Sequence, residues 1–597
     1  MLHALSSCLD RPNANANLTL SMARLLWHRR DLRIHDNELY QCHAGAQKIY
    51  SLFIFDPSDY SPRPTGIPDG RDSQLLSVTH GPHFTRRLLD AVHSLRHSLQ
   101  NLGGNLLVRN GNPLEVIPQL ARELQVEEVA WSEAPGHFEC TQSEKLKKIL
   151  LRDGPCRCRV YTTCSLTLTH PNDLPTDQFT WQKLARPKEK RKKRKSKAHS
   201  DTDADAPMQA INNHYELSST ITNVSPSRFA GMPTIMGDFR RVARTSAPAR
   251  ELFEKAHPQN IAQDFSDIDI GDIPSLEVLT EPILDTTEPI LGCLPKELIL
   301  KLIQSAKEIP RDPTINIEEQ SIQHLQHFVQ NHAATADRSL CDVSNNDSSR
   351  LSIPLALGTL SPQQVYHCVR QQQDKLESQN DGQCTINPAE LSWLISHMEM
   401  RDFFIFNSFR NGLSEYRLYP TKPVHKPNEP REWFPLSENK EKFIRWASGH
   451  TNLPLVDAGM KELLSTGYTS NRVRQNMASV LAKDLQLDWR LGAEFYQLCL
   501  EDHCVAANFG NWAYFAGVGG DPKSRHFRTC SQALRYDSDG RHVRQWIDRL
   551  RECSEDDVEV MLRPWDFQKD WPMPIVPPDT QFTWQDKEKL KNTGKIS

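Results

Sequence analysis

The sequence predicts two joined domains: an N-terminal α/β domain with a parallel sheet, and an all-α C-terminal domain. The chain has 597 residues, whereas a single hydrophobic core rarely grows past about 250–300 residues. Strand-like and helix-like segments alternate over residues 22–175, an order typical of a Rossmann-like parallel sheet. From about Pro354 onward, apolar residues recur at helical spacing instead.

Five short apolar runs are the predicted strands of the α/β domain. They cover residues 24–27, 48–55, 105–109, 127–131 and 159–162. Between the second and third runs, apolar residues from Phe84 to Leu102 recur at helical spacing, and Gly103 and Gly104 follow as a stop signal. A helix between two such runs is the crossover that neighbouring parallel strands need.

Helical patterning and tryptophan dominate the C-terminal part of the chain. Ser470 is a predicted N-cap for an amphipathic helix over residues 471–487, and residues 489–500 form the next predicted helix. Eight of the 12 Trp lie from Trp433 onward. Because indoles are large and mostly buried, we expect an aromatic-rich core or site there.

A basic, low-complexity block interrupts the chain between the two domains. Residues 186–197 hold nine Lys or Arg and one Glu, and the run from Lys188 to Lys197 is similar to a nuclear import signal. A nucleic-acid tether and a solvated charged loop are the alternatives. The whole chain has a formal net charge of −4 and this block has a net charge of +8, so the rest of the sequence has a net charge of −12. That acidic remainder argues against broad affinity for DNA phosphates.

These patterns divide the chain into six segments. We expect an N-terminal extension over 1–21, the α/β domain over 22–175, a linker with the basic insert over 176–233, a connection into the helical domain over 234–345, the helical domain over 346–576 and a tail over 577–597. The extension is only a weak match to a transit peptide.

Composition also bears on the compartment. The 14 Cys form no CxxC pair, which favours reduced thiols inside a cell and gives no reason to expect a metal site. The nucleus, the cytoplasm and the mitochondrion stay open. No apolar run reaches the ~18 residues that a membrane-spanning helix needs, so we do not expect a membrane protein.

Common nucleotide, hydrolase and zinc signatures are absent: the sequence holds no P-loop, no GxGxxG after a strand, no GxSxG and no HExxH. Four other blocks are distinctive: WHRRDLRIHDN at 27–37, SSRLSIPLALGTLSP at 348–362, and two long stretches at 452–495 and 508–522. These blocks resemble the photolyase/cryptochrome family, and the two long stretches are most similar to its cryptochrome DASH branch. The resemblance implies that the helical domain holds FAD in a U-shape.

The resemblance assigns the FAD phosphates to the second block. Four residues match the family's phosphate loop: Ser348, Ser349, Leu351 and Ser352. Hydroxyls and free backbone N–H groups at a helix start suit a pyrophosphate, although an ordinary serine-rich cap would look the same. The family usually has a Tyr upstream of this loop and a Gly-Gly-Glu before it. Neither is matched here, near Thr335 or over residues 315–319, so weaker FAD binding is expected.

The resemblance also implies which residues surround the flavin ring. Arg474 and Asp502 match the family's ion pair beside the isoalloxazine, where the Asp orients an Arg that stabilises reduced flavin. A structural salt bridge is the alternative. Cys504 replaces the family's second Asp and removes an acceptor from the ring, whereas Asn508 matches the amide near flavin N5. The predicted cofactor residues also include Trp393 and Arg401.

Three tryptophans match the family's electron relay. Trp512 and Trp489 are 23 residues apart, which is the family spacing of its two inner members. Indoles are oxidisable, so a line of them can carry an electron to photoexcited flavin, although a single Trp is more often plain core. Trp433 is the candidate for the surface member.

A second chromophore is expected in the α/β domain. Glu133 follows the strand predicted over 127–131, where the family has a Glu that contacts a folate pterin. A carboxylate can accept two hydrogen bonds from an aminopterin edge, although a Glu after a strand is ordinarily just solvated. The resemblance therefore implies 5,10-methenyltetrahydrofolate as an antenna.

The segment that would hold a DNA lesion departs from the family. Photolyases flip a pyrimidine dimer out of the base stack, and the family contacts it with a Glu and a stacking Trp. Here His397 and Met400 take those positions, and Glu399 lies roughly on the opposite side of the helix. Four other residues still match the pocket of the DASH branch: Asn471, Arg472, Gln475 and Tyr514.

Two functions follow as hypotheses. One is a light-driven lyase that repairs cyclobutane pyrimidine dimers in single-stranded DNA. The other is a blue-light photoreceptor that keeps flavin photoreduction but repairs poorly, because an acid donor and an aromatic platform are lost. A member that retains only the fold is a third interpretation. We expect a monomer whose binding of single-stranded or damaged DNA is weakened.

Overall fold

The computed structural model describes residues 22–41, 46–64, 75–153, 158–185, 222, 224–336, 341, 348–378, 387–419, 432–519, 525–554 and 557–586. The predicted N-terminal extension and the basic block from Lys188 to Lys197 lie outside the described residues. Among these residues, no helix combines the length and the hydropathy that a bilayer crossing requires.

A five-stranded parallel sheet forms the N-terminal domain. Its strands are β1 (Met22–His28), β2 (Ala46–Phe55), β3 (Leu106–Asn110), β4 (Glu128–Ser132) and β5 (Arg159–Thr163), in the order β3-β2-β1-β4-β5. In the register, Leu26 lies opposite Ser51 on one side and Ala130 on the other. The strand prediction is confirmed, with small differences at the ends. Because the strand order reverses at β1, the carboxyl ends of the strands border a crevice of the kind that holds ligands in such sheets.

Helices cover both faces of this sheet. α1 (Pro82–Gln100) packs in one hydrophobic core with Leu26, while α2 (Pro113–Glu123) and α3 (His137–Lys148) pack in another with Leu25. Successive residues of a strand point to opposite faces, so β1 contributes to both cores. A short helical turn, Pro57–Tyr60, and two-residue strands at Arg63–Pro64 and Leu76–Ser77 lie beside the sheet.

Helices also make up the regular structure of the remaining described residues, and from about Pro354 onward this agrees with the sequence prediction. They are α4 (Gln178–Ala185), α5 (Met236–Ser246), α6 (Leu276–Asp285), α7 (Lys296–Lys307), α8 (Ile317–Asn331), α9 (Ser352–Leu357), α10 (Pro362–Ser378), α11 (Ser392–Asn411), α12 (Leu436–Ala447), α13 (Pro454–Thr466), α14 (Asn471–Ser479), α15 (Trp489–Cys499), α16 (Val505–Ala516), α17 (Thr529–Tyr536), α18 (Arg541–Trp546), α19 (Val558–Leu562) and α20 (Pro564–Phe567). The core of this domain contains the fully buried indoles of Trp446, Trp489 and Trp512.

Aromatic packing holds parts of the predicted linker and connection against α11. Trp181 is fully buried and its ring centre lies 6.4 Å from that of Phe239. Phe229 stacks on Phe406 at 5.1 Å, and Phe239 contacts Phe403 at 5.7 Å. The described ends of the segment predicted as a linker, 176–233, are therefore packed parts of the fold, because their aromatic side chains fill a core.

One predicted helix is divided. α14 follows Ser470, whose hydroxyl accepts a backbone N–H, so the predicted N-cap is confirmed. The helix predicted to continue to residue 487 ends at Ser479, and a π-helical turn follows it. Just before this turn, the Met477 carbonyl accepts a hydrogen bond from the Trp446 indole at 3.0 Å. Tertiary packing thus engages a backbone carbonyl at the point where the regular helix stops.

Candidate functional site

A cavity of about 910 Å³ lies between α11, α14, α16 and the loop before α9. Its volume falls within the range of small-molecule and cofactor sites. Fourteen predicted site residues line it: Ser348, Ser349, Leu351, Ser352, Trp393, His397, Met400, Arg401, Asn471, Arg474, Gln475, Asp502, Cys504 and Tyr514. The lining does not include Arg472, Asn508, Glu133 or the three predicted relay tryptophans.

Hydroxyl and guanidinium groups lie close together at the loop before α9. Arg350 has a left-handed backbone, with φ 46°, and its N–H donates to the Ser348 hydroxyl at 3.4 Å. Ser348 Oγ lies 3.3 Å from the hydroxyl oxygen of Tyr468. The guanidinium groups of Arg350 and Arg474 lie 4.9 and 5.2 Å from the centre of the Tyr468 ring. Of these groups, the Ser348 hydroxyl and the Arg350 guanidinium are donors that suit phosphate oxygens.

An ion pair lies in the wall that α14 shares with the loop before α16. Arg474 Nη2 and Asp502 Oδ2 are 3.0 Å apart, and Arg474 Nε donates to the Thr469 carbonyl at 2.9 Å. Burial lowers the pKa of the Arg474 guanidinium and Asp502 raises it, with a net rise. Asp502 Oδ1 and Thr469 Oγ1 are buried without a hydrogen-bond partner. Because buried polar atoms are nearly always paired, these oxygens fit the N–H or O–H groups of a ligand.

Cys504 and Asn508 follow at the start of α16. The Cys504 side chain lines the cavity, and its carbonyl accepts from the Asn508 N–H at 2.8 Å. The Asn508 side-chain amide donates to the Ala493 carbonyl at 2.8 Å, which ties α16 to α15. Part of the amide that is predicted to face flavin N5 is therefore used in helix packing.

Two predicted relay tryptophans belong to one buried aromatic cluster. Trp489 and Trp512 are 0% and 1% exposed, and the Trp489 indole donates to the Leu418 carbonyl at 3.1 Å. Gly492 makes room for Trp512, since a Cβ there would lie 2.1 Å from its ring. Phe509, one turn before Trp512 on α16, lies 6.3 Å from the Trp489 ring centre.

Two further aromatic contacts of Trp512 were not predicted. Its ring centre lies 5.0 Å from that of Tyr496 and 6.2 Å from that of Trp446. The seven-residue spacing from Trp489 to Tyr496, which places both on one face of a helix, was the available signal. The third predicted relay residue, Trp433, is half-buried, and its indole donates to the Tyr419 hydroxyl at 3.2 Å.

α11 presents the two unusual residues, His397 and Met400, to the cavity. Glu399 points elsewhere: it is 4% exposed, and it accepts from Arg240 Nε at 2.7 Å and from Arg244 Nη2 at 2.8 Å. This carboxylate anchors α5 to α11. It is therefore unavailable to replace the Glu that His397 displaces.

Arg472 and Trp393 make mainly structural contacts. The Arg472 guanidinium lies 4.1 Å from the centre of the Tyr536 ring and donates to Gln475 at 2.9 Å. The Trp393 indole donates to the Ala333 carbonyl at 2.8 Å. These contacts orient Gln475 and Trp393, both of which line the cavity.

Glu133 faces α3. It is 1% exposed, its Oε2 accepts from the Ser143 hydroxyl at 2.7 Å, and its Oε1 lies 2.8 Å from Lys147 Nζ. A separate cavity of about 90 Å³ between the domains is lined by the next residue, Ala134, and by Arg401 and Cys504, which also line the larger cavity. Both oxygens that are predicted to meet a pterin are engaged within the α/β domain.

Glu318 joins the two domains and was missed by the sequence reasoning. Its carboxylate accepts from the backbone N–H groups of Ile34 and His35 at 2.9 and 2.8 Å. Burial raises the pKa of the Glu318 carboxyl and these hydrogen bonds lower it, with a net rise. Glu318 lies in the segment where the family's Gly-Gly-Glu is expected. A Glu at this place, even without the two preceding glycines, was the sequence signal that could have identified it.

Family models match both domains. One described as DNA photolyase matches residues 24–209, and one described as the FAD binding domain of DNA photolyase matches residues 393–585. The helical domain is therefore an FAD-binding domain, and the orphaned oxygens in its cavity fit a cofactor that carries N–H groups.

Similar proteins share nearly the whole length of the chain. Cryptochrome DASH from Danio rerio is 30% identical over 587 residues, covering 95% of this chain and 92% of that protein. Cryptochrome DASH from Gloeobacter violaceus is also 30% identical, covering 88% of this chain and 85% of that protein.

Solved structures agree in fold. The Synechocystis sp. PCC6803 cryptochrome has a TM-score of 0.68 and 25% identity, covering 95% of this chain and 99% of its own. A class III photolyase from Agrobacterium tumefaciens, 20% identical, has a TM-score of 0.66 and covers 98% and 99%. By sequence along almost its entire length, the chain belongs to the photolyase/cryptochrome family, in its cryptochrome DASH branch.

Proposed function

We propose that this protein is a blue-light photoreceptor that holds FAD in the large cavity and reduces it with electrons from Trp512 and Trp489. The observation that carries the proposal is the Arg474–Asp502 pair, since Asp502 Oδ1 is a buried acceptor without a partner beside a cavity of cofactor size. Bound FAD supplies the light absorption and the one-electron chemistry. The protein's residues bind it, orient it and deliver electrons.

The cavity has one end suited to phosphates and an adjoining end suited to a flavin ring, and Tyr468 contacts residues of both. At the first end, Ser348, Tyr468 and Arg350 offer hydroxyl and guanidinium donors. At the second, the Arg474 charge favours an extra electron on the ring, and Asp502 holds that guanidinium in place. A thiol at Cys504, where the family has a carboxylate, leaves the ring one acceptor fewer.

The relay proposal is supported by the burial of its inner members. Trp489 and Trp512 are excluded from water, so a hole passed between them stays in the core until it reaches the surface. The Trp489 indole is held by the Leu418 carbonyl, and Trp512 is held against Gly492. Fixed rings in one cluster suit repeated electron transfer.

Repair of pyrimidine dimers in single-stranded DNA is the second candidate function. Asn471, Gln475 and Tyr514 line the same cavity and favour it, because a flipped-out lesion needs polar contacts and an aromatic ring. His397 and Met400 oppose it. Loss of a stacking ring costs about 1–3 kcal/mol per base, and imidazole is a different donor from a carboxylic acid. Weak repair beside intact photoreduction is the expected combination.

Finer assignments belong to the same proposal. Folate binding at Glu133 requires this carboxylate to leave Lys147, its partner at 2.8 Å. Single-stranded or damaged DNA is the proposed partner of a monomer, with the block from Lys188 to Lys197 as a tether or a nuclear signal. Relatives from Arabidopsis thaliana and Neurospora crassa are named as chloroplastic/mitochondrial and mitochondrial. For this chain we propose an intracellular location without choosing a compartment.

An absorption spectrum followed by illumination tests both candidates. We expect purified protein to show a flavin band that bleaches under blue light in the presence of a thiol, and to remove few dimers from irradiated single-stranded DNA. Trp512→Phe is the matched variant, because it should retain flavin and lose photoreduction. Protein without flavin would contradict both functions. Dimer removal as fast as that of a photolyase assayed in parallel would contradict the preference for the photoreceptor.

A further inference from the structure

Within the part of the chain that the structure describes, two tyrosines contact the proposed relay, one at each end. The Tyr496 ring centre lies 5.0 Å from that of Trp512, and the Tyr419 hydroxyl accepts from the Trp433 indole at 3.2 Å. A phenol can be oxidised by a neighbouring indole radical cation only if its proton can leave, because an oxidised phenol is a strong acid. The surroundings of each hydroxyl therefore decide which tyrosine can take part.

Tyr496 has no exit for its proton. Its side chain is 3% exposed, and its hydroxyl donates to the Arg474 carbonyl at 3.2 Å. Burial raises the pKa of this phenol well above its usual range, although the nearby Arg474 charge lowers it. A carbonyl cannot carry the proton away, so Tyr496 stays reduced beside Trp512.

Tyr419 lies at the surface and has the exit that Tyr496 lacks. It is 44% exposed, so water can accept its proton. In contrast, Trp489 and Trp512 are 0% and 1% exposed. Of the two tyrosines, Tyr419 alone combines contact with a relay indole and access to solvent.

The backbone holds Tyr419 close to the relay. The carbonyl of its neighbour Leu418 accepts a hydrogen bond from the Trp489 indole at 3.1 Å. Two consecutive residues, Leu418 and Tyr419, therefore hydrogen-bond to the indoles of Trp489 and Trp433. Phe434, next to Trp433, forms a backbone bridge with the segment that leads into α15. These contacts keep the outer members together without requiring a rearrangement.

We infer that Tyr419 is the terminal electron donor of the relay, beyond Trp433. The inference rests on the proposed photoreceptor function. In the step, Tyr419 gives one electron to the oxidised Trp433 and its O–H proton to water, which restores neutral Trp433 and leaves a neutral tyrosyl radical. The electron that Trp433 had lost has passed through Trp489 and Trp512 to photoexcited FAD. A soluble thiol then returns one hydrogen atom to Tyr419 and becomes a thiyl radical.

A neutral tyrosyl radical at the surface slows the return of the electron relative to its forward transfer. The electron on the flavin can return to a nearby indole radical cation, but the way back from Tyr419 requires a proton to be recovered from water. Tyr419 should therefore lengthen the life of the charge-separated state. It should also give external thiols a place to act.

Tyr419→Phe in the full-length, flavin-loaded protein tests the inference. Flash photolysis and electron paramagnetic resonance should detect a tyrosyl radical in the wild type that is missing in Tyr419→Phe, where the tryptophan radical recombines several-fold faster. Tyr366→Phe is the matched control. It also removes one phenol hydroxyl, but Tyr366 lies on α10, away from the proposed relay. Spin trapping without thiol, followed by peptide mass spectrometry, should locate the adduct at Tyr419.

The outcomes separate this inference from the proposed function. Normal flavin photoreduction with no tyrosyl radical and no adduct at Tyr419 would overturn the inference and leave the photoreceptor standing. A tyrosyl signal that persists in Tyr419→Phe would do the same. Flavin-loaded wild type that cannot be photoreduced at all would overturn both.

Discussion

Replacing Gly492 by Ala probes how closely Trp512 is packed. The added Cβ would lie 2.1 Å from one ring carbon of Trp512 and 2.5 Å from another, against about 3.5–4.0 Å for carbon atoms in contact. The ring would have to move by roughly 1.5 Å, and Tyr496 and Trp446 already contact it. Overpacking of this kind costs about 1–3 kcal/mol, and the better helix propensity of Ala returns about 1 kcal/mol.

We therefore expect Gly492→Ala to lower the free energy of unfolding by up to about 2 kcal/mol, seen as a lower urea midpoint with an unchanged m-value. Flavin photoreduction should also slow, because Trp512 is displaced. Gly237→Ala is the matched control on stability, since nothing lies within 4 Å of a Cβ at that helical position. A Gly492→Ala variant with wild-type stability and wild-type photoreduction would refute the claim that this glycine makes room for the relay.

Three other changes test separate parts of the site. Asp502→Asn leaves the buried Arg474 charge without its counter-ion, a loss that costs up to about 3–5 kcal/mol. The purified variant should therefore carry less flavin, as measured by absorbance. Full flavin content would contradict the role proposed for the Arg474–Asp502 pair. The double substitution His397→Glu and Met400→Trp should raise the rate of dimer removal from irradiated single-stranded DNA by about 5- to 150-fold, the equivalent of 1–3 kcal/mol. An unchanged rate would show that these two residues do not limit repair. Burial raises the pKa of Glu415 to about 8, above the ordinary value of 4.5, so its contribution to stability is complete below pH 4.5 and is lost as pH rises through 8. Glu415→Gln should flatten that decline in urea midpoints, and parallel curves for variant and wild type would contradict it.

Local pattern was enough to predict the sheet, and the family resemblance was enough to predict most of the cavity. Strands buried on both faces of a parallel sheet form near-continuous apolar runs, so each of the five strands was located within a few residues. The residues predicted for the phosphate loop and the ring, such as Ser348 and Arg474, were matched through motifs whose members lie close in sequence. Nine of them line one cavity, together with five of the residues predicted for the DNA pocket.

Other features depend on contacts between distant segments, and local pattern could not predict them. Glu133 lies just past the end of β4, where the alternation of faces no longer fixes direction, and Ser143 and Lys147 of α3 decide where its carboxylate points. The break after Ser479 coincides with a carbonyl engaged by Trp446, which is more than thirty residues away. Both outcomes are tertiary effects that override local preference.

The aromatic contacts around α11 limit how this protein can be dissected. A fragment that starts at residue 346 would include Phe403 and Phe406 but omit Phe229 and Phe239, which cover them. Its α11 would then expose a bare aromatic face, a surface of the kind that drives aggregation. The cofactor-bearing half is therefore not an autonomous unit, and a shortened version must keep the chain over 224–246 to retain the wall against which its cavity is built.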